Sequence, residues 1–227
     1  SIAFASYEDA LKLFEESKYR ESLTMIASEL NVTLDTAPES PNYKLRFLAA
    51  HNHWKLGNLE SATLHFQKCM TIQSSSPAPY IDLALMLLEK NRIRDAQQVA
   101  QKGLSIKEDP MLFYVSGKAA YRSENYAQAK AYFEKSIALD PELYIAYNSL
   151  GITLMDLDRF SQANTAFTAA QAIAPRSAEI LNNLAYSFER MGQADKAVPY
   201  YEKALLSSPE NATIKANLDR AKGRIGK

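Results

Sequence analysis

The histidine and cysteine side chains of this sequence lie within one short stretch of 227 residues, as His51, His53, His65 and Cys69. Imidazole and thiolate are ligands that zinc prefers, and the spacing of four residues places His65 and Cys69 on the same face of a helix. No short-spaced cysteine or histidine pair of the kind found in zinc sites accompanies them. A buried cysteine that packs between helices explains the pattern more simply. We therefore predict no metal site and no cofactor.

Catalytic motifs are also missing. The chain has no glycine-rich phosphate loop, no Gly-x-Ser-x-Gly turn and no His-Glu-x-x-His helix. Acidic pairs such as Glu15 with Glu16 and Asp156 with Asp158 fall at turns or on solvated faces, where carboxylates usually serve solubility. Because no set of titratable side chains converges on a pocket, we predict a protein without catalytic residues that is not an enzyme.

The charge balance restricts the class of partner. Lysine and arginine together number 26, and aspartate and glutamate also number 26, so the formal net charge is zero. Non-specific binding to nucleic acid or to an anionic membrane is therefore disfavoured. No run of about 18 apolar residues is present, which predicts no membrane insertion. A protein or peptide partner is the remaining expectation.

The cellular compartment is open at this stage. One cysteine cannot form an internal disulfide, so the cysteine count does not separate a reducing from an oxidising compartment. The first residue is Ser1 and not methionine, which is compatible with a cleaved export signal. We expect a soluble protein of the cytoplasm or the periplasm.

A period of 34 residues organises the chain. Pro141, Pro175 and Pro209 mark it, and the same residue classes recur ahead of each proline: Ala129, Ala163 and Ala197; Phe133, Phe167 and Tyr201; Ser136, Ala170 and Ala204. A fixed period of this length predicts stacked supersecondary units and not one closed core.

Small residues recur at a second place in each period. Gly117, Gly151 and Ala185 occupy corresponding positions in the first helix, where another helix can approach closely. Two consecutive periods also carry aromatic and aliphatic residues in the same register: Tyr147, Leu150, Leu154, Ala163, Phe167, Ala170 and Pro175, and then Leu181, Leu184, Phe188, Ala197, Tyr201, Ala204 and Pro209.

These two periods resemble the tetratricopeptide repeat family, whose unit is a helix–turn–helix of 34 residues. The resemblance implies an all-α fold, a right-handed superhelical solenoid of antiparallel helix pairs. It divides the chain into a degenerate first repeat (1–36), a loop (37–42), repeats 43–76, 77–109, 110–143, 144–177 and 178–211, and a capping helix (212–227).

The resemblance also implies a ligand-binding surface, because ligands of this family contact the first helix of each repeat on the concave face. The equivalent positions here are mainly apolar, aromatic or amide side chains: Phe47, Trp54, Leu85, Tyr114, Lys118, Tyr121, Ile145, Asn148, Ile152, Met155, Asn182, Asn183 and Tyr186. A large exposed apolar stripe usually marks an interaction surface. We expect a groove for an apolar or amphipathic peptide, in which Asn148, Asn182 and Asn183 offer hydrogen bonds to the peptide backbone.

Two alternatives bear on this hypothesis. The first is a structural protein, a possible homo-oligomer, that self-associates through its N-terminal repeats, where Phe4, Phe47 and Trp54 would pack against another copy. The second is the clamp with which one branch of the family binds the acidic tails of heat-shock chaperones. At the clamp positions only Lys118 carries the required positive charge, so a bound carboxylate would lack partners. The sequence therefore favours a scaffold or adaptor protein that is not a chaperone-tail adaptor.

Overall fold

The computed structural model describes the backbone of residues 2–30 and 42–225, and in the first of these ranges it describes the side chains of residues 7–29. Every regular element in these ranges is an α-helix. The helices are α1 (Ile2–Glu15), α2 (Tyr19–Leu30), α3 (Tyr43–Lys55), α4 (Leu59–Ile72), α5 (Ala78–Glu89), α6 (Ile93–Ile106), α7 (Pro110–Arg122), α8 (Tyr126–Leu139), α9 (Tyr144–Asp156), α10 (Phe160–Ile173), α11 (Ala178–Arg190), α12 (Ala194–Ser207) and α13 (Ala212–Lys222).

The chain forms two compact units, an N-terminal unit (1–108) and a C-terminal unit (109–227). In each unit, an odd-numbered helix packs most extensively against the even-numbered helix that follows it. The predicted loop at 37–42 lies outside the described residues, except for Asn42. That residue caps α3, because its side chain accepts a hydrogen bond from the amide of Leu45 at 3.3 Å.

A residue with positive φ lies in the turn after the first helix of every described pair. Glycine occupies this position in two pairs, as Gly57 and Gly192, and the other four pairs use Ser17, Asn91, Glu124 and Asp158, with φ between 56° and 61°. The left-handed conformation costs a non-glycine residue roughly 1–2 kcal/mol. Its recurrence in all six described pairs shows that one turn geometry joins the two helices of each pair.

An aromatic ring packed against a small residue holds the pairs of the C-terminal unit together. The rings of Phe133 and Phe167 are buried against Gly117 and Gly151, where the methyl group of an alanine would overlap the ring. At Gly117 the distance from such a Cβ to the Phe133 ring would be 2.6 Å, well inside van der Waals contact. The predicted close approach of helices at Gly117 and Gly151 is thus confirmed.

The first helices of neighbouring pairs in the C-terminal unit also contact one another, α7 with α9, α9 with α11, and α11 with α13. These helices therefore share one face of the unit, which we call the inner face. Any groove on this face is built from side chains of the odd-numbered helices.

A buried carboxylate anchors the last helix of the C-terminal unit. The side chain of Glu189 on α11 is 1% exposed and accepts hydrogen bonds from the guanidinium of Arg220 at 2.7 and 2.8 Å. It also accepts from Arg224 at 2.8 Å and from the hydroxyl of Tyr201 at 3.1 Å. The hydrogen bond from Arg220 outweighs the effect of burial and lowers the pKa of Glu189. The carboxylate therefore joins α11, α12 and α13.

We predict that Gly151→Leu lowers the free energy of unfolding by about 1–3 kcal/mol or more, because the new side chain must displace the Phe167 ring. Chemical denaturation measures the change. The matched control is Ala172→Leu on the exposed face of α10, which should change stability by no more than about 0.5 kcal/mol. Equal losses in the two variants would show that the close approach is not required.

We also predict that Glu189→Gln destabilises the protein by about 1.5–3 kcal/mol at pH 7, since hydrogen bonds to a charged group are lost. The folded pKa of Glu189 lies below its unfolded value of about 4.3, so its contribution is present above that pH and is lost as the pH falls through the folded pKa. The free energy of unfolding between pH 3 and pH 7 should consequently depend less on pH in the variant than in the wild type.

The control for this prediction is Glu202→Gln. Glu202 also pairs with α13, through Lys222 at 2.9 Å, but both side chains are about half exposed. An exposed ion pair contributes about 0–1 kcal/mol. A similar effect in both variants would contradict an anchoring role that is specific to Glu189.

Candidate functional site

A groove of about 490 Å³ opens on the inner face of the C-terminal unit. Its lining comes from α7, α8, α9 and the start of α11: Tyr114, Lys118, Tyr121, Arg122, Phe133, Tyr144, Ile145, Asn148, Ser149, Ile152, Ser177, Glu179 and Ile180. Six of the predicted site residues lie here, namely Tyr114, Lys118, Tyr121, Ile145, Asn148 and Ile152. We call this the inner groove.

The apolar part of the inner groove has a buried floor and more exposed walls. Phe133 and Ile180 are buried, whereas Ile145 and Ile152 on α9 are half-buried. The ring of Tyr144 at the start of α9 is 42% exposed. The Tyr114 ring is buried, and its hydroxyl is hydrogen-bonded to the side chain of Ser149; burial raises the pKa of Tyr114. A ligand would therefore find aliphatic and aromatic surface already shaped by packing.

Positive charge lies along the α7 side of the inner groove. Lys118 is half-buried, and its amine lies 5.5 Å from the centre of the Tyr114 ring. Arg122 follows one helical turn later on the same face. Burial first, and then repulsion from Arg122, lower the pKa of Lys118, while Glu179 acts in the opposite direction. The site is thus more polar than the apolar stripe that the sequence predicted.

The asparagines predicted to hold a peptide backbone are hydrogen-bonded to neighbouring first helices instead. The amide of Asn148 donates to Glu179 at 2.8 Å, and its oxygen accepts from Asn183 at 3.0 Å. The oxygen of Asn182 accepts from Asn217 on α13 at 2.9 Å. The side chains of these asparagines thus connect α9, α11 and α13, and their binding to a peptide backbone stays a prediction.

Four other predicted residues of the C-terminal unit lie outside the inner groove. Asn182, Asn183 and Tyr186 are on α11 beyond its lining residues. Met155 is 9% exposed, about as much as Tyr114 and Asn148, but it is not among the residues that line the inner groove. Helical spacing places Met155 on the same face as Asn148. It cannot show which residues of that face are covered by a neighbouring helix.

The predicted residues Phe47, Trp54 and Leu85 belong to the N-terminal unit. The Phe47 ring stacks on Tyr43, with ring centres 5.6 Å apart, and the Trp54 indole donates a hydrogen bond to Glu89 at 2.9 Å. Leu85 is half-buried. Internal contacts already engage both aromatic rings. The side chain of Phe4 lies outside the described part of the structure.

His51 lies at the centre of the aromatic cluster of the N-terminal unit. Its Nδ1 donates to the carbonyl oxygen of Phe47 at 2.9 Å, and its Nε2 lies 3.2 Å from the carboxylate of Asp82 on α5. Burial alone would lower the pKa of His51, but the hydrogen bonds to Asp82 and Phe47 outweigh it and raise that pKa. The contact between His51 and Asp82 therefore connects α3 with α5.

The cysteine–histidine stretch has the geometry of a packed core. The Cys69 thiol is fully buried, and burial raises its pKa to about 12. His53 and His65 stack with their ring centres 5.4 Å apart. Within the described residues, no group of three histidine, cysteine or acidic side chains could hold a metal ion.

Helix pairs with a groove on the inner face define a helical-repeat protein. The tetratricopeptide repeat profiles match residues 43–76, 114–178 and 148–212, which together are more than half of the chain. The chain belongs to the tetratricopeptide repeat family, and the predicted all-α repeat fold is confirmed.

Several curated proteins are similar in sequence. The Hsp70-Hsp90 organizing protein of Triticum aestivum is 29% identical over 47% of this chain and 18% of its own length. A DnaJ homolog subfamily C member 7 homolog of Dictyostelium discoideum is 22% identical over 92% of this chain and 38% of its length. A TPR repeat-containing protein of Pseudomonas aeruginosa is 29% identical over 69% of this chain and 27% of its length. The chain thus spans between about a fifth and two fifths of these relatives.

Solved structures show the same fold at low identity. PilW, described as a type IV pilus biogenesis factor, is 18% identical, with a TM-score of 0.77 over 98% of this chain and 99% of that chain. YrrB, described as a TPR protein with an unusual peptide-binding site, is 20% identical, with a TM-score of 0.61 over 88% and 97% of the two chains.

None of the helices in the described ranges combines the length and the apolar character needed to cross a bilayer.

We predict that Asp82→Asn lowers the pKa of His51, because the protonated imidazole loses the negative charge that stabilises it, while the opposing effect of burial remains. The pair contributes stability below the unfolded histidine pKa of about 6.5, and this contribution is lost as the pH rises through the higher folded pKa. NMR titration of the His51 ring measures the shift. Glu89→Gln, which changes the neighbouring Trp54 contact, serves as control and should leave the His51 titration unchanged.

Proposed function

We propose that this protein is a non-enzymatic scaffold or adaptor that binds an apolar or amphipathic peptide segment of a partner protein in the inner groove. The observation that carries the proposal is the combination of exposed apolar walls, from Tyr144, Ile145 and Ile152, with charged side chains on opposite sides. A volume of about 490 Å³ is within the range of roughly 300–1,000 Å³ typical of ligand pockets. An amphipathic segment would bury its apolar side chains against these walls.

The chemistry of the lining favours binding over catalysis. Neither histidine nor cysteine is among the residues that form the inner groove. Its two serines already have structural partners, since Ser149 bonds to Tyr114 and the Ser177 side chain accepts from the amide of Ile180 at 3.4 Å. Neither serine is therefore paired with a histidine base among the described residues of the groove.

The comparisons support the same class of function. One relative is named for organizing two other proteins, and one structural neighbour is described by its peptide-binding site. These descriptions apply to those proteins. They make protein binding a reasonable function for a chain with the same fold and an open groove of its own.

The test uses a random pool of dodecapeptides, acetylated and amidated at their ends, presented to the full chain. We expect peptides with clustered apolar residues to be enriched, and we expect Tyr144→Ala to weaken the best of them by at least about tenfold, because truncation of an aromatic anchor commonly costs more than about 1.4 kcal/mol. Fluorescence anisotropy with the labelled peptide gives the dissociation constants.

The matched control is Leu139→Ala at the end of α8. Leu139 is 48% exposed, close to the value for Tyr144, but does not line the groove. Equal loss in both variants, or no enrichment from the pool, would refute the proposal. Sedimentation of the full chain tests the alternative of self-association, which requires a dimer that persists on dilution.

A further inference from the structure

We propose that a chain of side-chain hydrogen bonds couples the inner groove to α13, the last helix of the C-terminal unit, so that a change at either end alters the stability of the other. The chain starts at Glu179, which lines the groove, and reaches Arg220 on α13. This inference goes beyond the proposed function, because it concerns communication within the protein and has a test that needs no ligand.

At the groove, the chain joins α9 to α11. The amide of Asn148 donates to the carboxylate of Glu179 at 2.8 Å, and the amide of Asn183 donates to the oxygen of Asn148 at 3.0 Å. Asn182, next to Asn183 on α11, donates to the oxygen of Asn183 at 3.4 Å, the longest bond of the chain. Asn148 is buried and Glu179 is exposed, and both line the groove. The acceptor end of the chain is therefore within reach of a bound segment.

At the other end, the chain joins α11 to α13. The amide of Asn217 donates to the oxygen of Asn182 at 2.9 Å, and the guanidinium of Arg220 donates to the oxygen of Asn217 at 2.9 Å. The same guanidinium donates to the buried carboxylate of Glu189 at 2.7 and 2.8 Å. The chain thus ends on the ion pair that anchors α13.

Every bond of the chain points in the same direction, from Arg220 toward Glu179. An ionised carboxylate can only accept hydrogen bonds and a guanidinium can only donate them, so the two charged ends require the same direction. Turning any one of the amides between them would place two donors or two acceptors against each other. The orientation of each amide therefore depends on that of its neighbours.

Hydrogen bonds in such a chain strengthen one another, because each bond polarises the next. Loss of Glu179 or of Asn217 therefore weakens the bonds that remain. A segment that lies over Glu179 and Asn148 has the opposite effect, because it excludes water and a hydrogen bond is stronger in a medium of low dielectric constant. A bound segment thus stabilises the docking of α13, and by linkage a docked α13 raises the affinity of the groove by the same factor.

A double-mutant cycle with Glu179→Ala and Asn217→Ala tests the chain in the free protein. No hydrogen bond joins these two side chains within the described residues, so independent effects would multiply to within about twofold in the equilibrium constant of unfolding. We expect Asn217→Ala to raise that constant at least about threefold less in the Glu179→Ala background than in the wild type. Urea denaturation measures the four constants.

The matched control is Asn164→Ala. The amide of Asn164 donates to the hydroxyl of Ser187 at 2.9 Å and joins α10 to α11, and none of its described hydrogen bonds reaches the chain. Its cycle with Glu179→Ala should be additive, to within about twofold in the same constant. Circular dichroism checks that each variant keeps its helices.

The best dodecapeptide from the pool described above tests the effect on the groove. Asn217 does not line the groove, yet Asn217→Ala should weaken binding of this peptide at least about fivefold, the lower end of typical coupling between sites. Asn164→Ala should change the affinity by less than about twofold. In the wild type, the bound peptide should also slow hydrogen exchange of the α13 backbone amides, and Asn217→Ala should abolish this protection.

The outcomes separate the two proposals. Additive effects of Glu179→Ala and Asn217→Ala, or an equal departure from additivity in the Asn164 cycle, overturn this inference and leave the proposed function standing. The same holds if Asn217→Ala leaves the peptide affinity unchanged. Absence of any peptide whose binding depends on Tyr144 overturns the proposed function alone, and the cycle in the free protein then decides this inference.

Discussion

Contact between an aromatic ring and a glycine determines how closely the helices of two pairs approach, α7 with α8 and α9 with α10. Phe133 against Gly117 and Phe167 against Gly151 leave no room for a side-chain carbon at the glycine. A close approach of this kind brings the first helices of successive pairs to one face, where their side chains can meet. The inner groove depends on that geometry, because its lining comes from α7, α9 and α11 as well as from Phe133 itself.

Polar side chains between successive first helices follow a regular spacing. Tyr121 with Asp156, Asn148 with Asn183, and Asn182 with Asn217 are each separated by 35 residues, as are Trp54 and Glu89 in the N-terminal unit. Asn148 with Glu179 and Arg220 with Glu189 are separated by 31. An offset of 35 is one residue more than the period of 34, and an offset of 31 is three residues fewer. Positions three or four residues apart are neighbours on a helix face, so the two offsets reach adjacent positions of the next first helix. The repeat therefore aligns hydrogen bonds as well as core residues.

The candidate site was only partly predictable. Transfer of positions from the family placed Tyr114, Lys118, Tyr121, Ile145, Asn148 and Ile152 in the inner groove. It missed other lining residues, among them Arg122, Tyr144 and Ser177. Arg122 follows Lys118 at a spacing of four residues, and this spacing is a signal that could have identified it. The sequence could not show that Met155 lies outside the lining or that Asn183 donates to Asn148, because no local pattern reveals which side chains are already in contact within the fold.

The sequence by itself determined the family, the helical architecture and the recurrence of small and aromatic residues, since these depend on local spacing and on a period that is visible in the chain. It also determined the neutral net charge, which is a sum over residues and does not depend on their positions. Only the tertiary structure decided that Lys118 and Arg122 face Glu179 across an apolar groove, and that Met155 is buried. Burial and charge complementarity depend on distances between helices that are far apart in the chain, and no local pattern specifies those distances.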